Sequence, residues 1–261
     1  MYQKVLMAAM ILFTACAVQT PGTEKQKVAF IVTQPPAKLD ITKLVVGRLT
    51  LTSQIYGSRS GTCFPIQKTT TKTGIKLRLL TARHVVRDYV DIKKLVNEVE
   101  ITQRKEVLRA DGLELFRLEK LILKVTDIKV LRDNKGMDTV LIEVPIPADL
   151  DVQVFSLSTV SPKVGQEVLS FGCQAGIIPT FTYGLVCRKT GADMSVKEEA
   201  WITSANVFGG ASGGPIVDKQ TGVVIGLTSA LAMAGSLTPT PITHVHLFID
   251  ASKIRNWLNS V

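Results

Sequence analysis

Phe208-Gly209-Gly210-Ala211-Ser212-Gly213-Gly214-Pro215-Ile216-Val217 is the stretch on which the reading of this sequence turns. Glycines stand on both sides of one serine, and the run passes into a short apolar segment. A nucleophile for acyl transfer needs a hydroxyl projecting from a tight turn, with backbone N–H groups aimed at the developing oxyanion. Glycine allows backbone angles closed to other residues and leaves room for a peptide to approach. Ile216-Val217 reads as a buried strand that holds the turn. Gly-rich turns are common, so the stretch is informative only if the serine has partners.

Two other segments supply them. Leu79-Leu80-Thr81-Ala82-Arg83-His84-Val85-Val86 sets a histidine after an apolar strand, at the start of a predicted helix. The chain has three histidines, and the other two, His244 and His246, lie together. Met137-Asp138-Thr139-Val140-Leu141-Ile142 sets an aspartate at the opening of an apolar strand. A buried carboxylate bonded to an imidazole fixes its tautomer and stabilises the imidazolium. The nearest rival, Asp133 in Asp133-Asn134-Lys135-Gly136, reads as part of a solvated hairpin.

Around these segments the pattern is mostly β. Strands are predicted over 44–55, 61–66, 75–80, 99–102, 113–118, 121–130 and 139–144. Beyond Pro145, Pro147 and Asp149 they resume over 152–157, 167–171, 180–186, 201–203, 215–217, 223–228 and 243–249. Apolar residues at Val86, Val90 and Leu95 predict a helix over 86–96. Asp250 suits a helix N-cap, with Ala251, Ile254, Trp257 and Leu258 on one face behind it. The expected fold is all-β, in two halves with a short C-terminal helix.

Of the 261 residues, 46% are hydrophobic and 20% charged, which supports a packed core and argues against general disorder. The net charge of +9 is spread along the chain without interleaved aromatics or a nucleic-acid motif, so it reads as a solvated basic surface. No phosphate-binding glycine loop or zinc-ligand spacing is present, and no cofactor or metal is expected.

Residues 1–17 read as an export signal: Lys4, then an apolar run from Val5 to Ala17 too short to span a bilayer comfortably. The alternative is an apolar N-terminus buried against the domain. Leu12-Phe13-Thr14-Ala15-Cys16 is similar to a bacterial lipoprotein signal, although Phe13 stands where an aliphatic residue is usual. The chain is therefore expected to be exported, secreted or periplasmic, with membrane attachment only through a lipid anchor at Cys16. Residues 18–43 read as a tether. Four cysteines are too few for a disulfide scaffold; Cys173 and Cys187 flank a predicted hairpin and read either as a disulfide or as two buried thiols.

Thr-Ala-Arg-His-Val-Val at 81–86, Asp-Thr-Val-Leu-Ile at 138–142 and Gly-Ala-Ser-Gly-Gly-Pro at 210–215, in that order, resemble the chymotrypsin-like serine peptidases. Most similar in look are short bacterial and viral trypsin-like domains related to the HtrA proteases. The resemblance runs over about 44–261 and implies two antiparallel six-stranded β-barrels, over 44–147 and 148–261, with the site between them. It implies a triad of His84, Asp138 and Ser212, an oxyanion hole from the N–H groups of Gly210 and Ser212, and a protein or peptide substrate. Substrate backbone would pair with the edge at Leu227 to Leu231, with Ser229 nearest the triad. Three departures stand out. Ala211 replaces the aspartate that pairs with a new N-terminus in digestive enzymes, no cysteine follows His84, and no segment within these residues is left for a PDZ domain.

The same resemblance lines the specificity pocket with Asn206, Thr228, Ser229, Ala230, Leu231 and the strand around His244. Uncharged Asn206 argues against a preference for Lys or Arg. Three expectations remain: an uncharged pocket for small or medium apolar side chains, selection of Glu or Asp by a protonated His244 or His246, or histidines that are plain strand residues with satisfied nitrogens. A catalytically silent binding module on the same fold is the competing function. A lipase or esterase fits poorly, since α/β-hydrolases run Ser–Asp–His on a parallel sheet.

Overall fold

The computed structural model describes residues 40–71, 74–96, 99–190, 200–234 and 240–260, with only the backbone at some strand positions, among them Ala230, Leu231 and His244. The expected export signal, and the tether up to residue 39, lie outside the described residues. The first half contributes β1 (Val45–Ser53), β2 (Gly57–Thr71), β3 (Gly74–Ala82), α1 (Arg83–Val86), β4 (Arg87–Val96), β5 (Val99–Leu108), β6 (Gly112–Arg117), β7 (Lys120–Val125), β8 (Lys129–Asn134) and β9 (Thr139–Ile146). The second contributes β10 (Glu167–Gly172), β11 (Thr180–Lys189), β12 (Trp201–Thr203), β13 (Pro215–Asp218), β14 (Val224–Ala234), β15 (Thr240–Asp250) and α2 (Ala251–Asn259).

The fold is all-β in two halves with a short C-terminal helix. The second half closes into a six-stranded antiparallel barrel in the order β10-β11-β12-β15-β14-β13. The first half is an antiparallel sheet in the order β7-β6-β1-β2-β3-β9-β8, and β4 and β5 form a separate ribbon. Burial follows the two-residue period of a half-covered strand at β1, where Leu49 and Leu51 are buried and Thr50 and Thr52 exposed. β9 differs: Thr139 to Val144 are buried without interruption, as in a strand covered on both faces.

Val168, Val186, Ala205, Ile216, Ile225 and Phe248 fill the barrel. Gly226 makes room for Phe248, since a methyl group there would stand 2.0 Å from the ring. A second core joins Leu49, Phe64, Leu80 and Ile142 of the sheet to Val217, Leu227 and Ile249 of the barrel, and to Ile254 and Leu258 of α2. This shared core fixes the two halves against each other, which a site built from both requires. Asp250 caps α2 by accepting the N–H of Ser252 at 2.8 Å.

Three expectations change. The helix over 86–96 is absent: α1 ends at Val86, and the residues after it pair with β5 along the whole of β4. Leu95 is 74% exposed, so the apolar spacing that predicted the helix defines no buried face. The strand over 121–130 is two strands, β7 and β8. Residues 152–157 form no strand; they cross between the halves, with Val152 and Phe155 buried and the Phe155 N–H donating to the Pro65 carbonyl at 2.8 Å.

Phe64 is fully buried on β2 and meets the Phe155 ring edge-on at 5.5 Å, which ties this connection to the core. Phe64→Ala is expected to lower stability by about 3–5 kcal/mol through lost burial and the cavity left behind. Urea unfolding followed by circular dichroism measures it, and a loss below about 1 kcal/mol would contradict this packing.

Candidate active site

α1 is one turn long, and the residues at its start are tied to the segment before β9. The backbone N–H of Arg83 donates to the Asp138 carbonyl at 2.8 Å, and that of His84 to Asp138 Oδ1 at 2.9 Å. His84 Nδ1 stands 2.6 Å from Asp138 Oδ2. Asp138 has φ +46°, a left-handed conformation that aspartate tolerates better than most residues, and this turns its carboxylate back toward α1. The Ser229 hydroxyl donates to Asp138 Oδ2 at 2.8 Å. Burial works to raise the Asp138 pKa; the hydrogen bond and charge of His84, the Ser229 hydroxyl and the His84 N–H outweigh it, so the carboxyl lies below its usual value.

Arg83, itself buried, anchors α1 from its other side, reaching Asp133 at 2.8 Å through Nε and Glu106 through Nη2. Asp133 is exposed at the β8–β9 hairpin, as its sequence reading expects, and is in addition an ion-pair partner of Arg83. The reason is tertiary: Glu106 and Asp133 come from strands far apart in sequence, and a buried guanidinium needs both.

Ser212 lies in the turn before β13. The Ser212 hydroxyl donates to the Ser229 carbonyl at 3.4 Å. Ser229 sits where the pairing of β14 with β15 shifts register between Thr228 and Ala230, a bulge that re-aims its side chain. His84, Asp138, Ser212 and Ser229 therefore form one hydrogen-bonded cluster drawn from both halves. The N–H groups of Gly210 and Ser212 have no acceptor among the described residues. Gly210 has φ +97°, and a methyl group there would stand 2.4 Å from the Cys173 carbonyl oxygen, so only glycine fits.

Of the residues expected to line the specificity pocket, Asn206 is exposed in the loop after β12, and Thr228 is buried on β14. Ala230 and Leu231 lie on the same strand and His244 on β15; their side chains are outside the description. His246 is buried, and its Nε2 accepts the N–H of Val207 at 3.2 Å, which requires that nitrogen to carry no proton.

Among the described residues no group of side chains is arranged to hold a metal ion, and no helix is long and apolar enough to cross a membrane. Cys173 and Cys187 are free, so the disulfide is absent. The pairing of β10 with β11 puts Cys187 at the far end from Cys173, about eight residues or roughly 26 Å along the strand. Nor are both buried: Cys187 is exposed, whereas burial pushes the Cys173 thiol up to about 12.

The family model of the trypsin-like peptidase domain matches residues 61–227. No curated protein sequence matches the chain. The solved structure of the HtrA-type protease AlgW with tripeptide superposes with a TM-score of 0.56 at 16% identity, covering 84% of this chain and 61% of that one. The inactive form of the Rv3671c protease from M. tuberculosis H37Rv gives 0.54 at 18%, covering 87% and 96%. The serine endoprotease from Yersinia pestis gives 0.51 at 17%, covering 84% and 63%. At these identities the likeness is one of fold, and the chain spans about three fifths of the AlgW chain.

The depressed Asp138 pKa links stability to pH. A carboxyl held below its free value of 3.8 stabilises the fold above that pH, and the contribution disappears as pH falls through the lower folded value. Asp138→Asn is therefore expected to lower the denaturation midpoint at pH 7 and to show a smaller deficit at pH 3, below the free value. Guanidinium titrations of both proteins at the two pH values check this; an equal deficit at both would contradict the linkage.

Proposed function

The chain belongs to the family of trypsin-like peptidase domains, and we propose that it is a serine endopeptidase with Ser212 as nucleophile, His84 as general base and then acid, and Asp138 as the carboxylate behind the imidazole. The observation that carries this reading is the double role of Ser229. Its hydroxyl bonds Asp138 and its carbonyl receives the Ser212 hydroxyl, so the three residues are gathered around one backbone position.

In this mechanism Asp138 accepts a hydrogen bond from the Nδ1–H of His84, which leaves Nε2 as the lone-pair nitrogen able to receive the Ser212 proton. Ser212 Oγ attacks the scissile carbonyl, and the charge that develops on its oxygen meets the N–H groups of Gly210 and Ser212. Collapse expels the amine with the proton from Nε2 and leaves an acyl-enzyme, which water then hydrolyses by the same sequence. Among the described residues these two N–H groups have no other acceptor to give up, which favours a charge that exists only in the transition state.

The substrate is a protein or peptide with a small or medium apolar side chain in the primary pocket. Two facts support the uncharged pocket over a histidine that selects acids: Asn206 carries no charge, and the His246 ring accepts a backbone N–H instead of presenting a cation. We take residues 1–17 as an export or lipoprotein signal and 18–43 as a tether, so the substrate is met outside the cytoplasm.

Ser212→Ala is expected to lower casein cleavage by at least about 10⁴-fold and to abolish labelling by a fluorophosphonate probe. A wild-type chain that neither cleaves casein nor takes the label would instead be a silent binding module on a protease fold. In a peptide-library profile, cleavage is expected after small or medium apolar residues; strong cleavage after Lys or Arg would overturn the pocket reading.

A further inference from the structure

The turn that carries Ser212 has four successive carbonyls, and each has a donor. Gly209 O accepts the N–H of Ala175 at 2.6 Å, and Ala211 O that of Gly214 at 2.9 Å. The other two go to one residue: Gly210 O accepts the Thr62 hydroxyl at 2.7 Å, and Ser212 O the Thr62 N–H at 2.8 Å. In a planar trans peptide the C=O and N–H point in opposite directions, so holding an oxygen also aims the N–H across the same bond. Gly209 O and Ala211 O share their peptides with the two N–H groups proposed for the oxyanion hole. Of the two peptides held by Thr62, 210–211 lies between those groups, where its orientation sets how they lie relative to each other, and 212–213 follows them.

Thr62 also reaches the donor that holds Gly209. Its hydroxyl accepts the N–H of Cys173 at 2.8 Å, at the start of the turn that contains Ala175. Ala175 sits at φ +54°, a conformation costly for alanine, so the surroundings must impose it. Thr62 itself is fixed. It is fully buried on β2, its carbonyl accepts the Thr81 hydroxyl at 2.7 Å, and Thr81 stands three residues before His84. The hydroxyl is thus both donor and acceptor to buried backbone, a pairing that valine of the same shape lacks.

Resting on the protease reading above, we infer that Thr62 is a positioning residue: its hydroxyl, reaching across from the first half, fixes the peptide orientations that form the oxyanion hole. A threonine needed only for the fold would change how much of the protein is active. A positioning threonine changes the rate of each active molecule, and mainly in the transition state, where the oxyanion exists.

The test compares the full wild-type chain with Thr62→Val and Thr62→Ser, reading kcat per site titrated with fluorophosphonate, KM on one peptide substrate, and the melting temperature. Thr62→Val is expected to lower kcat per site about 30-fold, with KM within about threefold and the pH midpoint of kcat/KM unmoved, because the His84–Asp138 pair is untouched. Thr62→Ser is expected to recover kcat to within about threefold. A valine variant with wild-type kcat per site overturns the inference and leaves the protease reading standing. If the valine variant does not fold, the serine variant decides: a loss above about tenfold at unchanged melting temperature overturns it, and wild-type turnover supports it. A wild type that neither turns over nor labels removes the protease reading and this inference with it.

Discussion

A methyl group on Gly213 would stand 2.2 Å from the Thr62 carbonyl oxygen and 2.7 Å from the Ala82 nitrogen; one on Gly214 would stand 2.1 Å from the Phe171 carbonyl oxygen. The turn after Ser212 is therefore pressed between β2 and β3 of the first sheet and β10 of the barrel, backbone against backbone. The rest of the site depends on this contact. It brings Ser212 within reach of Ser229, and it lets Thr62 bond two of the turn's carbonyls. Gly213 also has φ +86°, so both space and conformation require glycine there.

The histidine side is built on charge. α1 has too few residues to be stable by itself, and each of its neighbours supplies a tie: Asp138 to two backbone N–H groups, Asp133 and Glu106 to Arg83. The base of the β4–β5 ribbon is held similarly, with buried Asp88 accepting from Ser53 at 2.6 Å and from Arg109 at 2.8 Å. Hydrogen bonding from Ser53 leads the effects that depress the Asp88 pKa, against burial, which raises it. A buried carboxylate with this many donors is stable as an ion, and its partners gain a defined geometry from it. Arg83, immediately before His84, thus transmits the positions of two strands to the imidazole.

Much of this was legible in the sequence because it is local. Apolar segments bounded by turn residues marked most strands, and Asp250 marked the start of α2. The glycines around Ser212, the histidine after β3 and the aspartate before β9 each carried a local chemical requirement. What was missed depends on distance. The spacing of Val86, Val90 and Leu95 suits a helix, yet pairing with β5 decides the matter, and Leu95 faces solvent. The ion pair that exposed Asp133 makes had no local signal, because Arg83 is fifty residues away. Nothing near Thr62 distinguishes it from other strand threonines; its importance comes from Cys173 and Gly210, more than a hundred residues further on. Ala175 is alike silent, since an alanine in a left-handed conformation has no sequence signal.

A site ready for a transition state must leave some groups without partners before substrate arrives, and folding works against that. An N–H without an acceptor costs stability, and a flexible turn would rotate to satisfy it internally. The Ser212 turn blocks this by satisfying everything else: four carbonyls each have a donor, and the N–H groups of Ala211 and Gly213 donate to Phe208 and Thr228 at 3.1 and 2.7 Å. Rotating the 209–210 peptide to find the Gly210 N–H a partner would break the bond from Ala175, and rotating 211–212 would break the bond from Gly214. Each such loss cancels the gain, so the two N–H groups keep their direction because their neighbours have no better arrangement. On the proposed protease reading, the readiness of the site is in this sense a property of the whole turn and of the sheet pressed against it.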